Sequence, residues 1–215
     1  MRITNAHVFW LKIMLHIVAL TLLLVTYYQA FTDQLGADPV KALLHFTGTG
    51  AFNLLILWLL ISPLAKYLRQ GQLVTLRRPI GLYTFAYALS HLSSYLIFEL
   101  QLEWSLIISE LLKRPYISVG FIALLILSLL AATSTKSIQR HMGRTWQKNH
   151  NWIYLASLLV ALHYIWSVKS ELIQRILYAL ILLALLVTRK AKFLKGYKSV
   201  LNKRTKTQQN KKKLA

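Results

Sequence analysis

The chain contains no cysteine. Disulfides, thiolate-bound metals, iron–sulfur clusters and cysteine nucleophiles are excluded together. Acid is nearly as scarce, with six Asp and Glu against 26 Lys and Arg. None of the six lies inside a long apolar stretch, so hydrolysis by paired carboxylates has no candidates there. No Gly-x-Gly-x-x-Gly follows a strand, so the chain carries no nicotinamide-binding domain of its own. Gly48-Thr49-Gly50 resembles a fragment of a nucleotide loop, but it sits within an apolar run. Small residues for close helix packing explain it better. No internal repeat stands out, which gives an inverted-repeat transporter no support.

Long hydrophobic runs are abundant. The apolar fraction is 56% and the charged fraction 15%, against roughly 45–50% and 25% in soluble domains. A bilayer core of about 30 Å needs roughly 20 apolar residues in a helix. Charge-free intervals of that kind run from Ile13 to Thr32, Ala42 to Pro63, Pro79 to Phe98, Pro115 to Thr135 and Asn149 to Val168. A sixth, Leu172 to Thr188, is shorter and holds Arg175 in its first turn, where the side chain can snorkel to the interface. The first run is too long for a secretory leader and lacks a clear cleavage site near Ala30, so it reads as a retained helix. These features predict an all-α membrane protein, a six-transmembrane-helix bundle over residues 1–190 with a basic tail over 191–215.

The +20 charge then reads as topology rather than as an affinity for nucleic acid. Alternation through six spans puts 21 of the 26 basic residues on one side: Arg2, Lys12 and those in loops 66–78 and 136–148 and in the tail. The positive-inside rule makes that side, with both termini, cytoplasmic. All six acids fall on the other side. Segment 99–114 is too charged to span, and its Leu100, Trp104, Ile107, Ile108, Leu111 and Leu112 fit an amphipathic helix on the outer surface. The tail suits anionic membrane lipid, at about 1 kcal/mol per basic residue near the surface.

Histidine is the one ionisable residue inside the spans apart from Arg175, and buried ionisable groups are functional candidates. His91 lies about 18 Å into the third span and His163 about 21 Å into the fifth, both measured from the inner edge. Equal depth on two helices suits a pair of axial haem ligands. The alternative is that each is a buried polar residue bonded to a neighbouring carbonyl or hydroxyl. His150 opens the fifth span and points about 140° away from His163 on one straight helix. His16 lies near the inner edge, where it can face His150. His45 reads as a polar interface residue, and His7 and His141 as solvated.

Several stretches carry a resemblance. They are Gly36-Ala37-Asp38-Pro39-Val40, His45-Phe46-Thr47-Gly48, Arg77-Arg78 with Gly81-Leu82, Leu89-Ser90-His91-Leu92 and Lys113-Arg114-Pro115-Tyr116. Thr133-Ser134-Thr135, Trp146, His150, Tyr154, His163-Tyr164 and Trp166-Ser167-Val168-Lys169 complete the set. In this order, over about residues 1–190, the chain resembles the MsrQ (YedZ) family. These are the haem-binding membrane subunits of the bacterial MsrPQ periplasmic methionine sulfoxide reductase system.

The resemblance implies a bundle of ferric-reductase-like type in the bacterial inner membrane, binding haem b and also FMN. It implies electron transfer to a periplasmic molybdopterin-containing methionine sulfoxide reductase, which itself reduces the sulfoxide in oxidised envelope proteins. The donor is then the quinone pool or a cytosolic flavin reductase, since the chain binds no nicotinamide. The family's haem histidines fall on His91, His150 and His163. Two-haem members of the wider superfamily carry two histidines on each of two helices. Here Arg77 and Arg78 stand where an inner histidine of the third span is expected, and guanidinium there suits propionates or phosphate. A cofactor-free transporter or assembly factor, or a haem reductase with another acceptor, are the competing readings.

Overall fold

Thr4 opens the first helix by a reciprocal cap: its side chain accepts from the His7 backbone N–H, and the His7 ring accepts from the Thr4 N–H at 3.2 Å. Helix α1 then runs Asn5–Phe31, 27 residues, or about 40 Å. The structure, a computed structural model, describes residues 3–167 and 173–188. Helix α2, Pro39–Tyr67, starts with Pro39 in its first turn and the Asp38 carboxylate accepting from the Lys41 N–H at 2.9 Å. A 3₁₀ turn, Gly71–Leu76, leads into α3, Arg77–Ser94, whose last turn widens into a π turn at Tyr95–Glu99. There follow α4 (Trp104–Lys113), α5 (Pro115–Ala132), α6 (Lys136–Met142), α7 (Arg144–His150), α8 (Ile153–Ser167) and α9 (Ile173–Thr188). The described residues include no strand.

Helices α1, α2 and α5 are long and apolar enough to cross a membrane. The other three predicted spans are also helical, but shorter or less apolar. Polar Ser90, His91, Ser93 and Ser94 dilute α3. The predicted fifth span is cut, because α7 ends at His150 and α8 begins only at Ile153. Tight bonds from Trp152 N–H to Asn149 O and from Tyr154 N–H to Asn151 O make the break. Predicted loop 136–148 is itself helical, with Gly143 at φ 51°, ψ −123° separating α6 from α7. That backbone conformation is open to glycine and not to residues with a Cβ. The amphipathic helix expected in 99–114 is α4, entered through Gln101 and Leu102 at positive φ. The basic tail, from residue 189 on, lies outside the described residues.

The surface of α1 is apolar. Phe9, Trp10, Met14, Ile17 and Leu24 are each about 60% exposed, the reverse of a soluble helix and the pattern of a lipid-facing one. Helix α2 supplies the centre, with Phe52, Leu55 and Leu59 at 1% exposure or less. It lies along α3, and α5 lies along α8, so the interior is two antiparallel hairpins face to face. Leu127, Ile153 and Ala156 join Phe52 and Leu55 in one core. Helix α9 closes against it through Tyr178, whose hydroxyl donates to Asn53 Oδ1 at 2.6 Å. Arg175 Nη1 donates to the Ile165 carbonyl at 3.2 Å, which ties the start of α9 to α8.

Candidate functional site

His91 projects from α3 onto α2, where its Nδ1 lies 3.0 Å from the Leu44 carbonyl. His163 projects from α8 onto α5, with Nδ1 2.7 Å from the Tyr116 carbonyl. A carbonyl only accepts, so Nδ1 carries the proton in both rings and Nε2 keeps its lone pair. Thr47 Oγ1 is also 3.4 Å from His91 Nδ1, but at 2.8 Å its hydroxyl donates to the Leu43 carbonyl. The two rings face each other across the hairpins with centroids 6.2 Å apart and planes 80° apart.

That spacing can be tested against a metal. Two imidazoles on opposite sides of one first-row metal, each bonded at about 2.0–2.1 Å, have ring centres about 6.3–6.5 Å apart, close to the spacing here. The pair therefore fits bis-histidine ligation, with the backbone carbonyls as the outer partners that fix the tautomer. Among the described residues no group of three or more His, Cys, Asp or Glu gathers as a metal-ion cage, and an axial pair on a macrocycle needs none.

Toward the predicted inner side, α2, α3, α5, α7 and α8 enclose a cavity of about 930 Å³. It falls within the size range of cofactor and ligand sites. His150 forms part of its wall and stacks on Trp146, centroids 3.9 Å apart and planes at 27°. The Trp146 indole N–H is anchored to the Thr133 carbonyl at 2.9 Å. Nδ1 of His150 is buried and has the Trp146 carbonyl, one turn back, as a partner outside good hydrogen-bond geometry. Arg78 also lines the cavity, as does Arg77, whose guanidinium lies 3.8 Å above the Trp58 ring. Thr84, on the cavity wall, is two turns before His91 on α3, or about 10 Å along the helix.

The sequence reading had no sign of a repeat, but the structure contains one. Each histidine meets a carbonyl 47 residues before it. Each carbonyl stands one turn before a glycine, Gly48 or Gly120, that lies under the ring. The register that superposes Gly48 on Gly120 and His91 on His163 also superposes Leu55 on Leu127, both buried. In the same register Arg78 superposes on His150. Sequence reasoning passed over Gly120 and Trp58; the equal glycine-to-histidine interval was the available signal.

The remaining histidines do not join these sites. His16 pairs with the Tyr83 hydroxyl, Nδ1 to oxygen 3.0 Å, rather than facing His150. His45 is exposed, His7 serves the α1 cap, and His141 is exposed on α6.

The family described as "Ferric reductase like transmembrane component" matches residues 47–161, a stretch holding His91 and His150. Curated relatives span nearly the whole chain. A Klebsiella pneumoniae (strain 342) protein is 43% identical over 194 residues, covering 90% of this chain and 98% of the relative. One from Enterobacter sp. (strain 638) matches to the same extent. Another, from Klebsiella pneumoniae subsp. pneumoniae, is 41% identical over 201 residues, covering 93% of this chain and all of the relative. All three are named protein-methionine-sulfoxide reductase heme-binding subunit MsrQ. With this similarity over 90% of its length, and with its apolar membrane helices, the chain belongs to the MsrQ family of ferric-reductase-like transmembrane proteins.

Proposed function

We propose that the chain is the haem-binding, electron-transferring membrane subunit of a methionine sulfoxide reductase system in a bacterial inner membrane. The observation that carries this reading is the His91–His163 pair: rings 6.2 Å apart, each Nδ1 held by a backbone carbonyl. These two histidines would hold a b-type haem iron. His150, stacked on Trp146, lines the inner cavity, where with Arg77 and Arg78 it would hold a second haem or FMN. Guanidinium groups pair well with propionate or phosphate.

Haem, when bound, supplies one-electron chemistry at a potential set by its ligands and surroundings. The chain's own residues do the rest. The carbonyls of Leu44 and Tyr116 fix the Nδ1–H tautomer and the orientation of the imidazoles. The apolar packing of Phe52, Leu55, Leu127 and Ala156 keeps water from the path between cavity and histidine pair. Electrons enter from quinol, or at the cytoplasmic face from a flavin reductase. They leave outward to a periplasmic molybdopterin enzyme that reduces the sulfoxide. Six spans with both termini inside fit the one-sided distribution of Lys and Arg.

Protein purified from haem-replete cells is expected to show a b-type spectrum. His91→Ala and His163→Ala each abolish the outer-haem share of it. A colourless wild-type protein would overturn the assignment. Reporter fusions after Met142 and at the C-terminus, both active only in the cytoplasm, check the orientation.

A further inference from the structure

Both histidine rings rest on a glycine. A Cβ built on Gly48 would stand 3.1 Å from Cε1 and Nδ1 of His91, and one on Gly120 only 2.6 Å from Nδ1 of His163. Glycine is a poor helix former beside alanine, yet both positions lie within apolar helices, where alanine is otherwise common. The accepting carbonyl lies one turn before each glycine, at Leu44 and at Tyr116. A ring can reach such a carbonyl only by lying flat along the turn that the glycine leaves bare.

We propose that Gly48 and Gly120 are positioning residues for the haem ligands. By lacking a side chain, each lets its histidine donate Nδ1–H to the carbonyl below and so present Nε2 to iron. The inference rests on the haem reading above and extends it to residues that touch no iron themselves. The unequal clearances rank the two. Alanine at position 120 forces His163 off its carbonyl, whereas at 48 the His91 ring has only to give by a few tenths of an ångström.

The test compares Gly120→Ala, Gly48→Ala and Gly50→Ala in the purified full-length protein. Gly50 is the control, because its Cβ would meet the Tyr87 ring at 2.7 Å, an equal intrusion between α2 and α3 in which the nearest atoms belong to neither histidine. Gly120→Ala should lose the six-coordinate low-spin signal and let reduced haem bind carbon monoxide. Its haem retention should fall about ten- to a hundredfold, as for outer partners of other metal ligands. Gly48→Ala should shift the same signals less, and Gly50→Ala should keep the wild-type spectrum whatever it does to thermal stability. If Gly120→Ala does not fold, Gly48→Ala carries the test alone. Wild-type spectra in both ligand-side variants, or an equal spectral loss in Gly50→Ala, would overturn the inference while leaving the haem assignment intact. A wild-type protein without haem would overturn both.

Discussion

The contact between Arg77 and Trp58 offers a sharp test of how the inner cavity is built. The guanidinium carbon lies 3.8 Å from the ring centre, well inside the roughly 6 Å reach of a cation–π contact. Trp58 is 8% exposed and Arg77 half-buried. The pair therefore falls between the exposed value of about 0.5–1 kcal/mol and the desolvated value of about 2 kcal/mol, near 1–1.5 kcal/mol. Lysine keeps the charge but not the plane that stacks. Trp58→Leu also thins the wall of a packed core, which adds a transfer and cavity cost of about 2 kcal/mol. The assay is a double-mutant cycle of Arg77→Lys and Trp58→Leu, read by thermal unfolding in a single detergent. At about 2–4 °C per kcal/mol for a chain of this size, the coupling should appear as about 2–6 °C of non-additivity. Additive effects within about 0.5 kcal/mol, the behaviour of independent sites, would refute the stacking argument and with it the placement of Arg77 at the cavity.

Trp146→Leu removes the plate under His150 and the anchor to the Thr133 carbonyl. Quantitative spectra should show loss of the inner-cavity cofactor with the His91–His163 signal intact. Tyr178→Phe deletes the 2.6 Å bond to Asn53 and should cost about 0.6 kcal/mol and no more than about 1.7, in line with interhelical hydrogen bonds in membranes, measured as a lowered unfolding midpoint. Glu110→Gln breaks the 2.9 Å ion pair with Arg114, in which the Arg114 side chain is 53% exposed and that of Glu110 21%. The cost should stay below about 1 kcal/mol and shrink further at high salt.

The helices and the meeting of His91 with His163 were legible because both follow from counting. Runs of apolar residues set the spans, and a fixed rise per residue sets depth. The break between His150 and Ile153 was not legible. The segment His150-Asn151-Trp152-Ile153 contains neither proline nor glycine, and the turn comes from backbone bonds that any residue can make. His150 was therefore placed on the wrong helix, and its stack on Trp146 went unseen although the two are one turn apart. The repeat was hidden for another reason. It survives in a few positions spread over two hairpins, and a glycine in an apolar run looks neutral until a ring is seen above it. His16 failed for want of a third coordinate, since depth says nothing about which neighbour a helix turns toward.

The partners that fix the two imidazoles are main-chain oxygens, and this has an evolutionary consequence. Any residue type at positions 44 and 116 offers the same backbone oxygen, so a substitution there leaves the acceptor of the Nδ1 proton in place. No single substitution there can delete the acceptor, as Asp→Ala would in a carboxylate–histidine pair. Mutational robustness is thus gained at the acceptor, and the selective constraint passes to the bare turn beside it.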